Sequence, residues 1–263
     1  MLRIYRCLSR TIPFAILSAV IIVTGACSKM PANHESESTA PPLRYPDFEN
    51  SGDSSAGDLK QIAKKRQSVY KELAAYLVHR FKLTDRKGIG IDIGGGSGDL
   101  VLRLAEYTKQ FYWINTDLDT GATPIFAADA LEMNLASRTG FLFADACSLP
   151  FKNEYADIVV SRGSYQFWSD LGAGLAEINR VLCPGGVAFV GRGVAPTMRE
   201  QDVQALASQN LIGGPKYDPD QDAETFRSLM HSMHIRDFEV IRHTPADTSL
   251  NYGVWLYFRK NLR

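Results

Sequence analysis

From Asp58 onward the apolar positions alternate between two rhythms. Leu59, Ile62, Ala63, Val69, Leu73, Tyr76, Leu77 and Phe81 recur at the intervals of one helix face, which predicts a helix over Asp58 to Phe81. Gly88 to Ile93 is a short buried-strand pattern, and Asp99 to Tyr107 resumes the helical period through Leu100, Leu102, Leu104 and Ala105. Phe111 to Ile114, Gly140 to Phe143, Asp157 to Val160 and Val187 to Val190 read as further strands. Helical stretches at Ile125 to Leu135 and Leu171 to Leu182 lie between them. Phe238 to Ile241 and Tyr252 to Phe258 are two last strand-like runs with no helix read between them, which implies antiparallel pairing. Strands alternating with helices predict an α/β fold with a doubly wound, mostly parallel sheet.

The first residues follow another pattern. Arg3, Arg6 and Arg10 precede the apolar run Ile12 to Val23, and Thr24-Gly25-Ala26 then leads to Cys27. That is the order of a signal peptide. The run of about a dozen apolar residues is shorter than the ~20 that span a bilayer as a helix. Thr24 to Cys27 resembles the lipobox of bacterial lipoproteins, in which the cysteine is lipidated, although leucine is commoner where Thr24 stands. The resemblance implies a signal peptide over residues 1–26, a lipid anchor on Cys27 and an extracytoplasmic domain on a membrane. The alternative is a cytoplasmic protein. Ser28 to about Gly57 is rich in Ser, Pro, Glu, Asp and Asn, too polar to order itself, so residues 27–57 read as a flexible tether and 58–263 as the folded domain.

Composition narrows the partners. Lys plus Arg and Asp plus Glu are balanced at 29 each, so no global field favours a polyanion. Cys147 and Cys183 read as two separate core or near-core thiols, with no metal-ligand spacing around either.

The sharpest motif is Asp92-Ile93-Gly94-Gly95-Gly96-Ser97-Gly98-Asp99, where a strand becomes a helix. Glycines there permit tight turns and close approach of a ligand to the backbone. A dinucleotide site wants glycines at relative positions one, three and six, but counting from Gly94 the sixth position is Asp99, which would repel a pyrophosphate. The glycines stand instead at 94, 96 and 98, with an acid before them.

This pattern resembles the first motif of the class I S-adenosylmethionine-dependent methyltransferases, and an ordered set of further segments resembles that family over about 170 residues. Asp117, 25 residues after Asp92, ends the second strand where the family places the acid that accepts the ribose hydroxyls, with Leu118 beside it. Asp119 is the alternative holder of that role, or a helix cap. Asp145, in Asp145-Ala146-Cys147-Ser148-Leu149-Pro150-Phe151, resembles the family segment whose acid binds the adenine amino group. Tyr155 to Ser161 resembles the fourth-strand motif, and Ile178 to Gly186 the entry to the fifth, with Cys183 where lysine or arginine is usual. The resemblance therefore implies a Rossmann-like methyltransferase fold of seven strands with the last antiparallel. It also implies S-adenosylmethionine held by Asp92, Gly94, Gly96, Gly98, Asp117, Leu118, Asp145, Ala146 and Ser161.

Leu149-Pro150-Phe151 and Arg180 to Gly186 look most like the small-molecule branch, the methyltransferase type 11-like group that includes quinone-biosynthesis C-methyltransferases. No Asn-Pro-Pro-Tyr or Asp-Pro-Pro-Tyr follows the fourth strand, and Cys183-Pro184 reverses the Pro-Cys of RNA cytosine-5 methyltransferases, so a small-molecule acceptor is expected and a nucleic acid is not. After the fourth strand, Arg162, Tyr165 and Trp168 are the candidate substrate-side residues, since ligands meet the carboxyl ends of strands in such sheets. A purely structural alternative packs the aromatic rings under the next helix and pairs Arg162 with Asp170. Residues 193–222 read equally as a lid or as an exposed connection. The rival to an enzyme is a membrane-tethered, non-catalytic module that keeps the fold to bind a nucleoside-like or other ligand.

Overall fold

The structure, a computed structural model, describes residues 56–208, 218–242 and 250–262, with side chains from Gln67 onward. The signal peptide, Cys27 and nearly all of the expected tether lie outside these residues.

Seven strands form one sheet: β1 (Gly88–Ile93), β2 (Phe111–Asp117), β3 (Thr139–Phe143), β4 (Ala156–Arg162), β5 (Leu182–Gly193), β6 (Phe238–Ile241) and β7 (Gly253–Arg259). Their spatial order is β3-β2-β1-β4-β5-β7-β6. β1 to β5 pair in parallel, while β7 runs antiparallel to both β5 and β6. Among the described residues six α-helices accompany them: α1 (Ala56–Phe81), α2 (Asp99–Tyr107), α3 (Thr123–Glu132), α4 (Leu171–Val181), α5 (Glu200–Ser208) and α6 (Pro219–Ser232).

Both faces of the sheet are covered, and the strands alternate between two cores. Ile158, Val160 and Phe189 face one apolar cluster with Leu73 and Leu77 of α1, Leu104 of α2 and Val203 of α5. Val159, Ala188 and Val190 face the other, with Leu175 and Ile178 of α4 and Phe226 and Met230 of α6. Burial on both sides explains why the central strands read as unbroken apolar runs. Each fully buried Leu, Ile or Phe contributes about 1.5–3 kcal/mol, so the two layers together clamp the sheet.

The sequence pattern did not show α5 or α6. Residues 193–222 hold α5 and the first turn of α6, and Val194, Ala195, Met198, Val203 and Leu206 are buried in the α1 layer. Tyr252 donates its hydroxyl to Met198 O at 3.0 Å and Trp255 its indole N–H to Val194 O at 2.9 Å, which ties this stretch to β7. Residues 209–217 of this stretch lie outside the described residues. β5 also starts earlier than its apolar run: Leu182 pairs with Ala156, and the register shifts before Ile158 meets Val187.

From β1 the chain steps outward through β2 to β3, then crosses back so that β4 flanks β1 on the other side. The carboxyl ends of β1 and β4 therefore mark the topological switch point, where open α/β sheets bind ligands.

Candidate active site at the β1–β4 switch point

The turn after β1 is built from left-handed glycines. Gly94, Gly96 and Gly98 have φ of 65°, 54° and 79°, a region costly for residues with a Cβ. Their surroundings differ. A Cβ on Gly94 would fall inside the Ser164 side chain and one on Gly98 inside the Phe126 ring, whereas one on Gly96 meets nothing within 4 Å. Gly94 and Gly98 are thus glycines because the protein packs against them, and Gly96 fronts open space.

β2 stitches this turn in place. Gly94 and Gly95 donate to Thr116 O at 2.8 and 3.1 Å, and Thr116 Oγ1 donates to Asp92 O at 2.8 Å. Asn115 Nδ2 donates to Gly96 O at 2.8 Å, while the Asp117 carboxylate accepts from Gly96 N at 2.7 Å. Asp117 also accepts from Asp119 N at 2.8 Å. A carboxylate has about four lone-pair sites, so two backbone donors leave it able to accept two hydroxyls. Asp119 caps the short turn over Thr120–Ala122, accepting from Gly121 N at 2.7 Å.

Beneath the turn lie two buried polar atoms without hydrogen-bond partners, Asp92 Oδ1 and Asn115 Oδ1. Burial pushes the Asp92 carboxyl well above the usual carboxylate range; the nearby Asp117 charge raises it further and the Arg162 guanidinium opposes both. Asn115 was not singled out in the sequence, although a polar side chain in the middle of the buried run Phe111 to Asp117 was the available signal.

At the ends of β2 and β3, Leu118 is 51% exposed and Phe143 58% exposed, large apolar groups left uncovered. Asp145 turns its own loop, accepting from Cys147 N at 2.9 Å, and Ala146 is buried beside it. The Leu149-Pro150-Phe151 segment is clamped by Arg180, whose guanidinium donates to Leu149 O, Phe151 O and Asn153 Oδ1 at 2.8–2.9 Å. The same guanidinium grips Glu177 with two bonds of 2.6 and 2.7 Å, and Glu177 accepts from Leu149 N at 2.8 Å. No disulfide joins Cys147 and Cys183; Cys183 Sγ donates to Glu154 O at 3.2 Å.

The segment after β4 divides. Ser161 is buried and shares a 2.6 Å hydrogen bond with Ser164, which also donates to Ile93 O at 2.9 Å. Tyr165 is buried, its ring 5.2 Å from Phe226 and its hydroxyl on Asp222 of α6. Trp168 donates its indole N–H to Ser164 Oγ at 3.1 Å, and its ring lies where a Cβ on Gly174 would be. Arg162 does not pair with Asp170, which caps α4 by accepting from Ala173 N at 2.9 Å. Arg162 reaches Gly193 O and Tyr70 instead.

Comparison with known proteins fits this geometry. Residues 91–190 match the model of a methyltransferase domain. The domain is thus similar to S-adenosylmethionine-dependent methyltransferases. A Methanococcus maripaludis protein assigned to that class is similar in structure over 79% of this chain and 92% of its own, with TM-score 0.65 and 26% identity. The 2-methyl-6-phytyl-1,4-hydroquinone methyltransferase of Spinacia oleracea is 34% identical over 115 residues, covering 44% of this chain and 32% of its own. The ubiquinone/menaquinone biosynthesis C-methyltransferase UbiE of Shewanella oneidensis is 25% identical over 165 residues, 59% of this chain and 65% of its own. The chain spans about a third of the length of the first relatives it matches.

The residues fit S-adenosylmethionine. Gly96 leaves space at the turn, Asp117 keeps acceptor capacity, and the buried Asp92 Oδ1 has no hydrogen-bond partner among the described residues.

Proposed function

We propose that the chain transfers a methyl group from S-adenosylmethionine to a small molecule. The observation that carries this reading is the open-faced Gly96, where a Cβ would meet nothing within 4 Å, with its N–H bonded to the acceptor Asp117. In this reading Asp117 accepts the ribose hydroxyls, Leu118, Asp145 and Ala146 border the adenine, and Asp92, Gly94, Gly96, Gly98 and Ser161 line or shape the amino-acid end. S-adenosylmethionine brings a methyl group already activated on a sulfonium. The protein's share is alignment and exclusion of water, so no nucleophilic triad is needed. Two relatives named for methylating quinone-type rings support a small-molecule acceptor. Calorimetry of the full-length chain with S-adenosylmethionine and S-adenosylhomocysteine tests the reading, and absence of binding at millimolar ligand refutes it.

Cys27 favours a second reading. An anchor there would place the domain outside the cytoplasm, where S-adenosylmethionine is not expected, and the same pocket would then serve a tethered module that binds a nucleoside-like ligand without turnover. Methyl transfer measured over hours against a panel of phenols and hydroquinones separates the two, because the module binds and never turns over.

A further inference from the structure

Arg162 ends β4 at the switch point, and its surroundings fix it without neutralising it. Its Nε donates to Gly193 O at 3.0 Å and its Nη1 to the Tyr70 hydroxyl at 3.3 Å. Its Cζ lies 4.8 Å from the centre of the Tyr70 ring, so β5 and α1 together set the plane of the guanidinium. Of five N–H donors two are used, which leaves three, including both on Nη2. Among the described residues no carboxylate stands within ion-pair distance of it. A half-buried cation held this way lacks the paired charge that usually accompanies one.

Two further observations bear on what completes it. The carboxyl whose field it shares is that of the fully buried Asp92, which burial pushes well above the usual carboxylate range. Space is also present: Gly163, the next residue, has φ 72° and a Cβ there meets nothing within 4 Å, as at Gly96. The cation therefore stands at the carboxyl end of β4 with the Tyr70 ring against it, next to a glycine whose Cβ side is open.

We propose that the unused donors of Arg162 bind an oxyanion, and that the oxyanion belongs to the acceptor, a small molecule carrying a carboxylate or an ionised ring hydroxyl. The planar fork suits two oxygens, or one oxygen gripped by both Nη groups, better than an ammonium would. This deepens the methyltransferase reading and rests on it. The cofactor's own carboxylate is the other source of the same chemistry, and the test separates them.

The probes are benzoate and its neutral analogue benzamide, titrated by NMR into full-length chain saturated with S-adenosylhomocysteine. Benzoate is expected to bind at least about tenfold more tightly than benzamide, and Arg162→Met to abolish that preference while S-adenosylhomocysteine affinity stays within about twofold. Equal binding of the two probes to the wild type, or an unchanged preference in the variant, overturns the proposal. If Arg162→Met weakens S-adenosylhomocysteine but not 5′-methylthioadenosine, which lacks the amino-acid carboxylate, the oxyanion is the cofactor's and the acceptor assignment falls. Equal weakening of both nucleosides means that Arg162 only supports the fold, and the proposal falls. Should the wild type bind neither nucleoside, the methyltransferase reading has failed; benzoate against benzamide on the ligand-free chain then still decides whether Arg162 reads an anion.

Discussion

Gly96 donates its backbone N–H to the Asp117 carboxylate at 2.7 Å, so the glycine turn of β1 and the acid that ends β2 are one unit. Asp117→Ala is expected to weaken S-adenosylmethionine binding by roughly 1–3 kcal/mol, the usual loss for hydrogen bonds to a charged group. Calorimetry reads this directly, and an unchanged affinity transfers the ribose role to Asp119.

Gly94→Ala and Gly96→Ala separate folding from binding. Both impose a Cβ on a left-handed residue, a strain of about 1–2 kcal/mol. Only at Gly94 does the new methyl also collide, with Ser164. Gly96→Ala should therefore lower stability by about that strain alone yet lose cofactor binding, whereas Gly94→Ala should lose markedly more stability. Urea unfolding of the two variants checks the ranking.

Asp92→Asn should stabilise the protein, increasingly so as pH rises. With the folded carboxyl shifted upward by burial, the native state keeps its proton where the unfolded chain has lost it. Wild-type stability accordingly falls as pH climbs from the unfolded carboxylate value toward the folded one, while an amide does not titrate. A Cβ on Gly95 would crowd both Asn115 Oδ1 and Asp92 Oδ2, the latter at 2.7 Å, so these groups share one pocket and the new amide offers Asn115 a donor. Unfolding at pH 4.5 and 7.5 should show the wider gap at pH 7.5; equal gaps would mean that Asp92 is not shifted.

Arg180→Ala should cost about 2 kcal/mol, because Leu149 O, Phe151 O and Glu177 lose their donor together. The hydrogen bond from Arg180 holds the Glu177 carboxyl below its usual value; burial opposes this and the Leu149 N–H adds to it. That contribution is present above the unfolded carboxylate pKa and fades as pH falls through the folded one, so the gap between wild type and variant should narrow in acid. Thermal unfolding at pH 7 and pH 4 measures both effects.

Much of this was legible beforehand because the central strands and the glycine turn obey local rules. β1 and α2 match the expected Gly88 to Ile93 and Asp99 to Tyr107, since a buried strand, a glycine turn and an amphipathic helix each carry their own signal. α6 escaped notice although Asp218 caps it, Pro219 opens it, and Ala223, Phe226 and Met230 form its buried stripe. That stripe is narrow and set among charged residues. The placement of Tyr165 could not be read at all, because its hydroxyl partner Asp222 is 57 residues away, and only the three-dimensional packing of α6 brings the two together. Asn115 escaped for a different reason: its value lies in holding Gly96 O, a backbone contact that residue spacing does not announce.

Cys27→Ser should block processing. In a bacterium the full-length chain is expected to be cleaved before Cys27, acylated there and recovered with membranes, since a lipid chain contributes about 0.8 kcal/mol per buried methylene. Intact-mass analysis settles it: a mature chain that keeps Met1 to Ala26 unmodified removes the anchor and favours a cytoplasmic enzyme.

β7 stands between β5 and β6, although it follows both in the chain. During synthesis β5 and β6 leave the ribosome before the strand that joins them exists, so that side of the sheet waits with an unsatisfied edge until Gly253–Arg259 arrives. When β7 docks, Gly193 and Gly253 must meet backbone to backbone, since a Cβ on either would lie inside the other strand. A bulky residue at either position should therefore act on the nascent chain first, lengthening the interval in which an open strand edge can recruit a neighbouring polypeptide.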